Sequence, residues 1–192
     1  MEYYKLITHL PEISKEYLFF GEPDNIWASD MAKIQQNRTF SFNENIRIPI
    51  NNYFKQIEYK ELDFNISFGD IEIVSDKFKR IIGDNDITYF PIEVTNYKTK
   101  QKYYAIKINN YYDCVDEMKS EINTISKENT DSMEMVGKYL KLGNYLLDNN
   151  KVGNAKIFRL EKHFPTIIIT EEFVEKIKEN NITGLRYVSL LK

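Results

Sequence analysis

The hydrophobic positions of the chain form two matching segments, residues 73–88 and 168–183, which align without a gap 95 positions apart. The first reads IVSDKFKRIIGDNDIT and the second reads IITEEFVEKIKENNIT. In each, a β-branched run ends at a hydroxyl residue, Ser75 or Thr170, and an acid follows. The hydroxyl can accept a hydrogen bond from the first helical turn, and the acid complements the helix dipole. The pattern predicts that a helix begins at each hydroxyl and buries one apolar pair: Phe78 and Ile82, or Phe173 and Ile177.

An extended run follows each predicted helix, at residues 87–94 and 185–190, so each segment is expected to fold as strand, helix, strand. Two parallel strands joined in this way would cross over right-handedly. Because the helices are short, the two strands can instead lie in different parts of a sheet. The match indicates either a structural duplication or a chance likeness between two common local patterns.

Alternating apolar positions predict a β-hairpin from residues 87–94 and 102–109. The facing rows are expected to be Phe90, Ile92 and Val94 on the first strand and Tyr104, Ile106 and Ile108 on the second. Pro91 has no N–H group to donate, so the first strand is predicted to lie at a sheet edge or to contain a bulge.

Shorter apolar runs predict the remaining elements. In the C-terminal two thirds, strands are expected at 139–142, 145–147, 157–160 and 166–169, with Gly143 and Asn144 as a tight turn between the first two. In the first sixty residues, the pattern predicts strands at 3–8 and 45–50 and a short helix at 28–36.

These elements predict an α+β fold, a strand-rich mixed sheet with a few short helices packed on it. Residues 1–60 are expected to form an N-terminal subdomain or wrapping arm, and residues 61–192 an α+β core. No low-complexity linker separates the two parts, so one continuous globule is expected rather than two independent ones.

The composition is that of a globular protein, with 42% hydrophobic and 29% charged residues among 192. A chain of this length can bury a sufficient core without disulfides or metal. The single cysteine, Cys114, excludes an internal disulfide framework, and the widely separated His9 and His163 do not complete a metal shell. The opening residues show no targeting signal, and no apolar run approaches the roughly 20 residues of a membrane helix. We therefore expect a cytoplasmic protein without metal or cofactor.

Known catalytic motifs are absent from the sequence, which favours a protein that is not an enzyme. The seven glycines form neither GxxxxGK nor GxGxxG, and neither histidine stands in a nucleophile-activating context. One alternative is a metal-dependent nuclease of the restriction type. The motif of such an enzyme is an Asp followed, further along the chain, by an Asp or Glu with a Lys two residues after it. Two stretches fit loosely: Glu58 with Lys60, and Glu117 with Lys119 preceded by Asp113 or Asp116.

The segment 113–134 is strongly acidic, with seven carboxylates against Lys119 and Lys127. Four lysines lie at 98–107, so the polarity changes within a few residues. An ordinary solvated face is one interpretation, and a binding face for a basic protein is the other. The formal net charge of −3 gives no broad footprint for nucleic acid.

Three short runs stand out in the second half of the sequence: Asp-Cys-Val-Asp at 113–116, Ile-Phe-Arg at 157–159, and Thr-Gly-Leu-Arg at 183–186, followed by Tyr187. In their order and spacing these runs resemble immunity protein family eleven of bacterial polymorphic-toxin systems, formerly a domain of unknown function, in which phenylalanine is more usual at the position of Tyr187. The resemblance spans about residues 61–190.

The resemblance implies an α+β cytosolic protein that binds and neutralises a cognate protein toxin, with no catalytic residues to carry over. We predict that the toxin docks on the acidic segment, at Asp113, Asp116, Glu117 and Glu121, with Tyr111 and Tyr112 adjoining. No nucleic-acid or membrane partner is expected. The competing hypotheses are the nuclease, with Asp113, Glu117 and Lys119 as its residues, and a self-assembling structural component.

Overall fold

A computed structural model of the chain describes residues 2–8, 17–25, 45–51, 59–67 and 71–190. Within these residues there are twelve strands, which form mixed sheets, and two short α-helices. This confirms the predicted strand-rich α+β fold. The helices are α1 (Asp76–Ile82) and α2 (Glu171–Glu179). The helix predicted at 28–36 lies outside the described residues.

The strands follow the apolar runs of the sequence closely. Their bounds are β1 (Tyr3–Thr8), β2 (Ile46–Ile48), β3 (Phe64–Ile66), β4 (Glu72–Ser75), β5 (Ile87–Val94), β6 (Tyr103–Ile108), β7 (Tyr111–Tyr112), β8 (Ile122–Thr124), β9 (Tyr139–Leu142), β10 (Ile157–Leu160), β11 (His163–Thr170) and β12 (Leu185–Ser189). Short 3-10 turns occur at Glu117–Lys119 and Met133–Met135.

These strands form two five-stranded sheets and a two-stranded ribbon. The order in one sheet is β12-β1-β11-β10-β7, and in the other β2-β5-β6-β4-β3; the ribbon pairs β8 with β9. The predicted hairpin of Tyr139–Leu142 with residues 145–147 is therefore wrong. β9 pairs with β8, and the residues after β9 contact other parts of the chain. The Glu121 N–H group donates to the Asn144 carbonyl, and Leu147 forms an isolated bridge with Val115.

The two matching segments occupy equivalent positions in their sheets. In the first, α1 joins β4 to β5, and β6 lies between those strands; in the second, α2 joins β11 to β12, and β1 lies between them. The strand before each helix also pairs antiparallel with the strand that precedes it, β3 or β10. This shared order favours structural duplication over a chance likeness of local patterns, and in both segments the joined strands lie in the same sheet with one strand between them.

Local chemistry sets the start of the first helix. The Ser75 side chain accepts a hydrogen bond of 3.1 Å from the Phe78 N–H group, as an N-cap does, and Asp76 stands in the first turn. At α2, the Thr170 hydroxyl is buried and makes no hydrogen bond within the described residues, so this helix begins without the expected cap.

Three of the four predicted core residues of the repeat are buried: Phe78, Phe173 and Ile177. The prediction for Ile82 is wrong, since this side chain is only half-buried. It is the last residue of α1, and the chain departs at Gly83 in a conformation of positive φ, so no further turn covers it.

The predicted hairpin forms from β5 and β6, but its facing rows differ from the prediction. Phe90 stands opposite Ala105, while Ile106 stands opposite Tyr89. Tyr103 and Ala105 therefore share a core cluster with Phe90 and its row. Burial of β6 on both faces explains the error, because alternation no longer reveals which face points inward.

Pro91 does not mark an edge strand along the whole of β5. The strand β2 pairs in parallel with Ile92–Val94, immediately after the proline. Pro91 itself stands opposite Tyr104 on β6. The residue without an N–H group thus lies just before the stretch that pairs with β2. The prediction of an edge strand is therefore wrong for the C-terminal part of β5.

The chain divides into two compact units. Unit 1 comprises residues 1–6, 110–173 and 187–192, and unit 2 comprises residues 7–109 and 174–186. The core of unit 1 is built from Cys114, Val115, Tyr139, Tyr145, Ala155, Phe158, Leu160 and Ile168. The core of unit 2 includes Leu18, Phe20, Ile46, Ile48, Ile71 and Ile73. The division at residue 60 stays a prediction, since residues 9–16, 26–44 and 52–58 lie outside the described part.

Candidate functional site

The predicted contact segment belongs to unit 1 and begins at β7. Tyr111 and Tyr112 pair in parallel with Arg159 and Leu160 of β10. Both tyrosines are half-buried, and the ring of Tyr112 lies 5.0 Å from that of Phe158, between centroids. Tyr112 is therefore part of the packing of the core of unit 1.

Buried neighbours hold the acidic residues at the surface. Cys114 and Val115 are buried, whereas Asp113 and Glu117 are exposed and Asp116 is half-buried. The Asp116 N–H group donates to the Leu146 carbonyl, and the Asp148 N–H group donates to the Cys114 carbonyl. The segment is thus fixed by its apolar residues and its backbone, with its carboxylates directed outward.

One lysine joins two of the predicted carboxylates. The Lys162 ammonium lies 3.1 Å from the Asp113 carboxylate and 2.7 Å from that of Glu117. The Tyr139 hydroxyl also donates to Glu117, at 2.8 Å. The hydrogen bonds from Lys162 and Tyr139 lower the pKa of Glu117, and those to Glu117 and Asp113 raise the pKa of Lys162. Since Glu117 is half-exposed, this network contributes little stability and mainly fixes side-chain positions.

Asp116 has its own cation. Lys119, three residues along the 3-10 turn, lies 3.0 Å from the Asp116 carboxylate, and this hydrogen bond lowers the pKa of that carboxyl. The Asp116 carbonyl also accepts from the Ser120 hydroxyl at 2.6 Å. The acidity of this part of the segment is therefore largely balanced by lysines within the protein.

Glu121 lies apart from the other three carboxylates, at the turn around Gly143. Its carbonyl accepts from the Gly143 N–H group, and its carboxylate accepts from the Asn144 N–H group at 3.4 Å. A Cβ atom on residue 143 would approach that carboxylate to 2.7 Å, so a larger residue there would displace the Glu121 side chain.

Asp113, Asp116 and Glu117 meet at a cavity of about 320 Å³. Its other lining residues are Val115, Met118, Asp148, Lys151 and Lys162. Asp148, Lys151 and Lys162 were not among the predicted site residues. Their positions in the sequence gave no local signal. The backbone hydrogen bond from Asp148 to Cys114 brings Asp148 and Lys151 here, and the bond from the Glu161 N–H group to the Tyr112 carbonyl brings the neighbouring Lys162.

The candidate residues of the nuclease alternative form ion pairs with lysines, whereas a metal-dependent nuclease needs its carboxylates to hold a metal ion. Asp113 and Glu117 both bind the Lys162 ammonium, while Lys119 binds Asp116. The described residues contain no group of three or more His, Cys, Asp or Glu side chains arranged to hold a metal ion. His163 instead shares a hydrogen bond of 2.8 Å with Thr166. In the other candidate stretch, Glu58 lies outside the described part.

Unit 2 has a larger cavity of opposite character, of about 670 Å³, on the β5–β6 hairpin. Lys98, Lys100 and Lys102 contribute to its lining, together with Tyr97 and Tyr104. Three of the four lysines that precede the acidic segment in the sequence thus line this cavity of unit 2, whereas the fourth, Lys107, is buried.

Among the helices that the structure describes, none has the length and apolar character needed to cross a membrane. No curated protein matches the chain significantly. The sequence does match the model of the immunity protein family Imm11, over residues 14–191. This match extends the resemblance of residues 61–190 into most of the N-terminal segment. Because it covers nearly the whole chain, the protein belongs to the Imm11 immunity protein family.

Proposed function

We propose that the protein is an immunity protein that binds a cognate protein toxin in the cytoplasm and inhibits it. Membership of the Imm11 family over residues 14–191 is the observation that carries this proposal. The site described above is consistent with a binding role, because it presents partly neutralised carboxylates in fixed positions around a cavity and not a set of free acid and base groups.

The toxin is proposed to dock on unit 1, at the acidic segment of Asp113, Asp116, Glu117 and Glu121, beside Tyr111 and Tyr112. Proteins that attack nucleic acid often present basic clefts, and a carboxylate surface would steer such a toxin toward the inhibitor. The buried single cysteine, Cys114, suits a reducing compartment.

Protection of cells expressing the toxin encoded beside this gene tests the proposal. Co-expression of the chain is expected to restore growth, and the tagged chain is expected to retain the toxin on an affinity column. An unrelated toxin serves as the control and should not be neutralised. Failure of both rescue and co-purification with every toxin encoded nearby would contradict the proposal.

A separate measurement discriminates the nuclease alternative. That reading requires Mg²⁺ or Mn²⁺ binding and nucleic-acid cleavage that Glu117→Ala abolishes. We expect no cleavage by the purified wild type. Metal-dependent cleavage lost in Glu117→Ala would instead assign the site to catalysis.

A further inference from the structure

The loop between β8 and β9 exposes large apolar side chains. Met133 and Met135, on the 3-10 turn of this loop, are 69% and 40% exposed, and Leu140 on β9 is 64% exposed. Exposing such side chains to water costs free energy that burial at an interface recovers. Methionine is also frequent at interfaces, because its flexible thioether adapts to the surface it meets.

The loop is held in shape by its own backbone. At its base, the Ile125 N–H group donates to the Lys138 carbonyl at 2.8 Å, and the Gly137 N–H group donates to the Ile125 carbonyl at 2.9 Å. At its tip, the Met135 N–H group donates to the Ser132 carbonyl at 3.0 Å. Buried Ile125 anchors the base. A loop ordered in this way loses little conformational entropy when it binds a partner.

The carboxylates of this loop differ from those of the cavity. Glu128, Asp131 and Glu134 are exposed, and the two lysines of the loop, Lys127 and Lys138, stand at its ends, so no cation lies between Glu128 and Gly137. Within the described residues none of the three forms an ion pair, whereas Asp113, Asp116 and Glu117 are each paired with a lysine. These three carboxylates can therefore bind a basic side chain of a partner without first breaking a salt bridge within the protein.

We propose that the loop at Glu128–Met135 is an anchoring element for the toxin, and that it docks against a toxin surface with lysine or arginine side chains around an apolar depression. The two methionines fill the depression, and the three carboxylates meet the basic rim. This inference rests on the proposed function and names the loop that would anchor the toxin. Charge complementarity selects a basic protein surface as the occupant.

Binding kinetics with the catalytically inactivated toxin encoded beside this gene test the inference, by surface plasmon resonance at two salt concentrations. One variant combines Met133→Ser with Met135→Ser, and Val188→Ser is its control because Val188 is another exposed apolar residue. A second combines Glu128→Gln, Asp131→Asn and Glu134→Gln; Asp84→Asn, Glu175→Gln and Glu179→Gln, at exposed positions of unit 2, are its control. Thermal unfolding checks that every variant is folded.

We expect the methionine variant to raise the Kd at least about tenfold, mainly through faster dissociation. The neutralised variant is expected to slow association severalfold at low salt and to flatten the salt dependence. If the wild type binds and both loop variants bind equally well, the inference is overturned while the proposed function stands. A wild-type dimer that the methionine variant dissociates would overturn it in favour of a second copy as occupant.

Discussion

The Asp63 carboxylate accepts hydrogen bonds from both the backbone N–H group and the hydroxyl of Thr183, 120 residues further along the chain, each at 3.1 Å. The Asp63 N–H group donates in turn to the Thr183 hydroxyl. The other oxygen of Asp63 accepts from Ser75, the N-cap of α1. One buried carboxylate therefore joins the first strand-helix junction to the end of the second repeat, within unit 2.

Asp63→Ala is expected to destabilise the protein by about 1–3 kcal/mol, because it leaves the buried Ser75 hydroxyl without its acceptor and removes the acceptor of both Thr183 donors. Thr183→Val removes the hydroxyl and keeps the backbone N–H donor, so its effect should be smaller. Urea denaturation of both variants measures the difference. If Asp63→Ala is as stable as the wild type, the hydrogen bonds between the two repeats contribute nothing to the free energy of unfolding.

Gly184→Ala should be among the most damaging single substitutions. Gly184 has a φ of 89°, and a Cβ atom there would overlap the carbonyl oxygen of Phe64. We expect a loss of more than about 4 kcal/mol or failure to fold. Gly137→Ala is the matched control, since its φ of 82° is similar but nothing lies within 4 Å of the added carbon. Its cost should be only the backbone strain of about 1–2 kcal/mol.

Truncation of the repeat phenylalanines tests the burial pattern. Phe78→Ala and Phe173→Ala should each cost about 3–5 kcal/mol, since both rings are buried. Ile82→Ala, at the half-buried fourth position, should cost clearly less. Equilibrium unfolding of the three variants gives the comparison. A loss at Ile82 equal to that at the phenylalanines would contradict the observed asymmetry.

Cys114 is expected to be inert toward thiol reagents in the folded protein. Burial, together with the nearby Asp113 charge, raises the pKa of its thiol to about 12, so almost no thiolate forms at neutral pH. A disulfide reagent should label it only as fast as the protein opens, and denaturant should make labelling complete. Rapid labelling at pH 8 without denaturant would show an accessible thiol.

Charge reversal tests the docking surface. Glu117→Lys with Glu121→Lys should slow association with a basic toxin and weaken its salt dependence, while the fold remains. Exposed ion pairs such as that of Glu117 with Lys162 contribute at most about 1 kcal/mol, so the variant is expected to stay folded. Glu175→Lys, on the exposed surface of α2, is the control. Unchanged kinetics in the folded variant would move the interface away from these two residues.

Features that depend only on neighbouring residues could be predicted from the amino-acid sequence. Ser75 ends a β-branched run and precedes an acid, and it caps α1 as expected. The strand bounds at β5, β9 and β10 likewise follow from apolar runs and the turn residues that flank them. Such features need only contacts within a few positions, so local preferences are sufficient to specify them.

Contacts between residues that are distant in the sequence could not be predicted in this way. The register of β5 with β6, the bond of Asp63 to Thr183 and the pairing of Lys162 with Asp113 and Glu117 all join positions that carry no mutual signal in one sequence. The pattern of the acidic segment places its carboxylates at the surface, and Lys119 of the same segment pairs with Asp116, but Lys162, which pairs with Asp113 and Glu117, comes from elsewhere in unit 1. Long-range pairing depends on how whole sheets bury their apolar faces, and local preferences do not encode that choice.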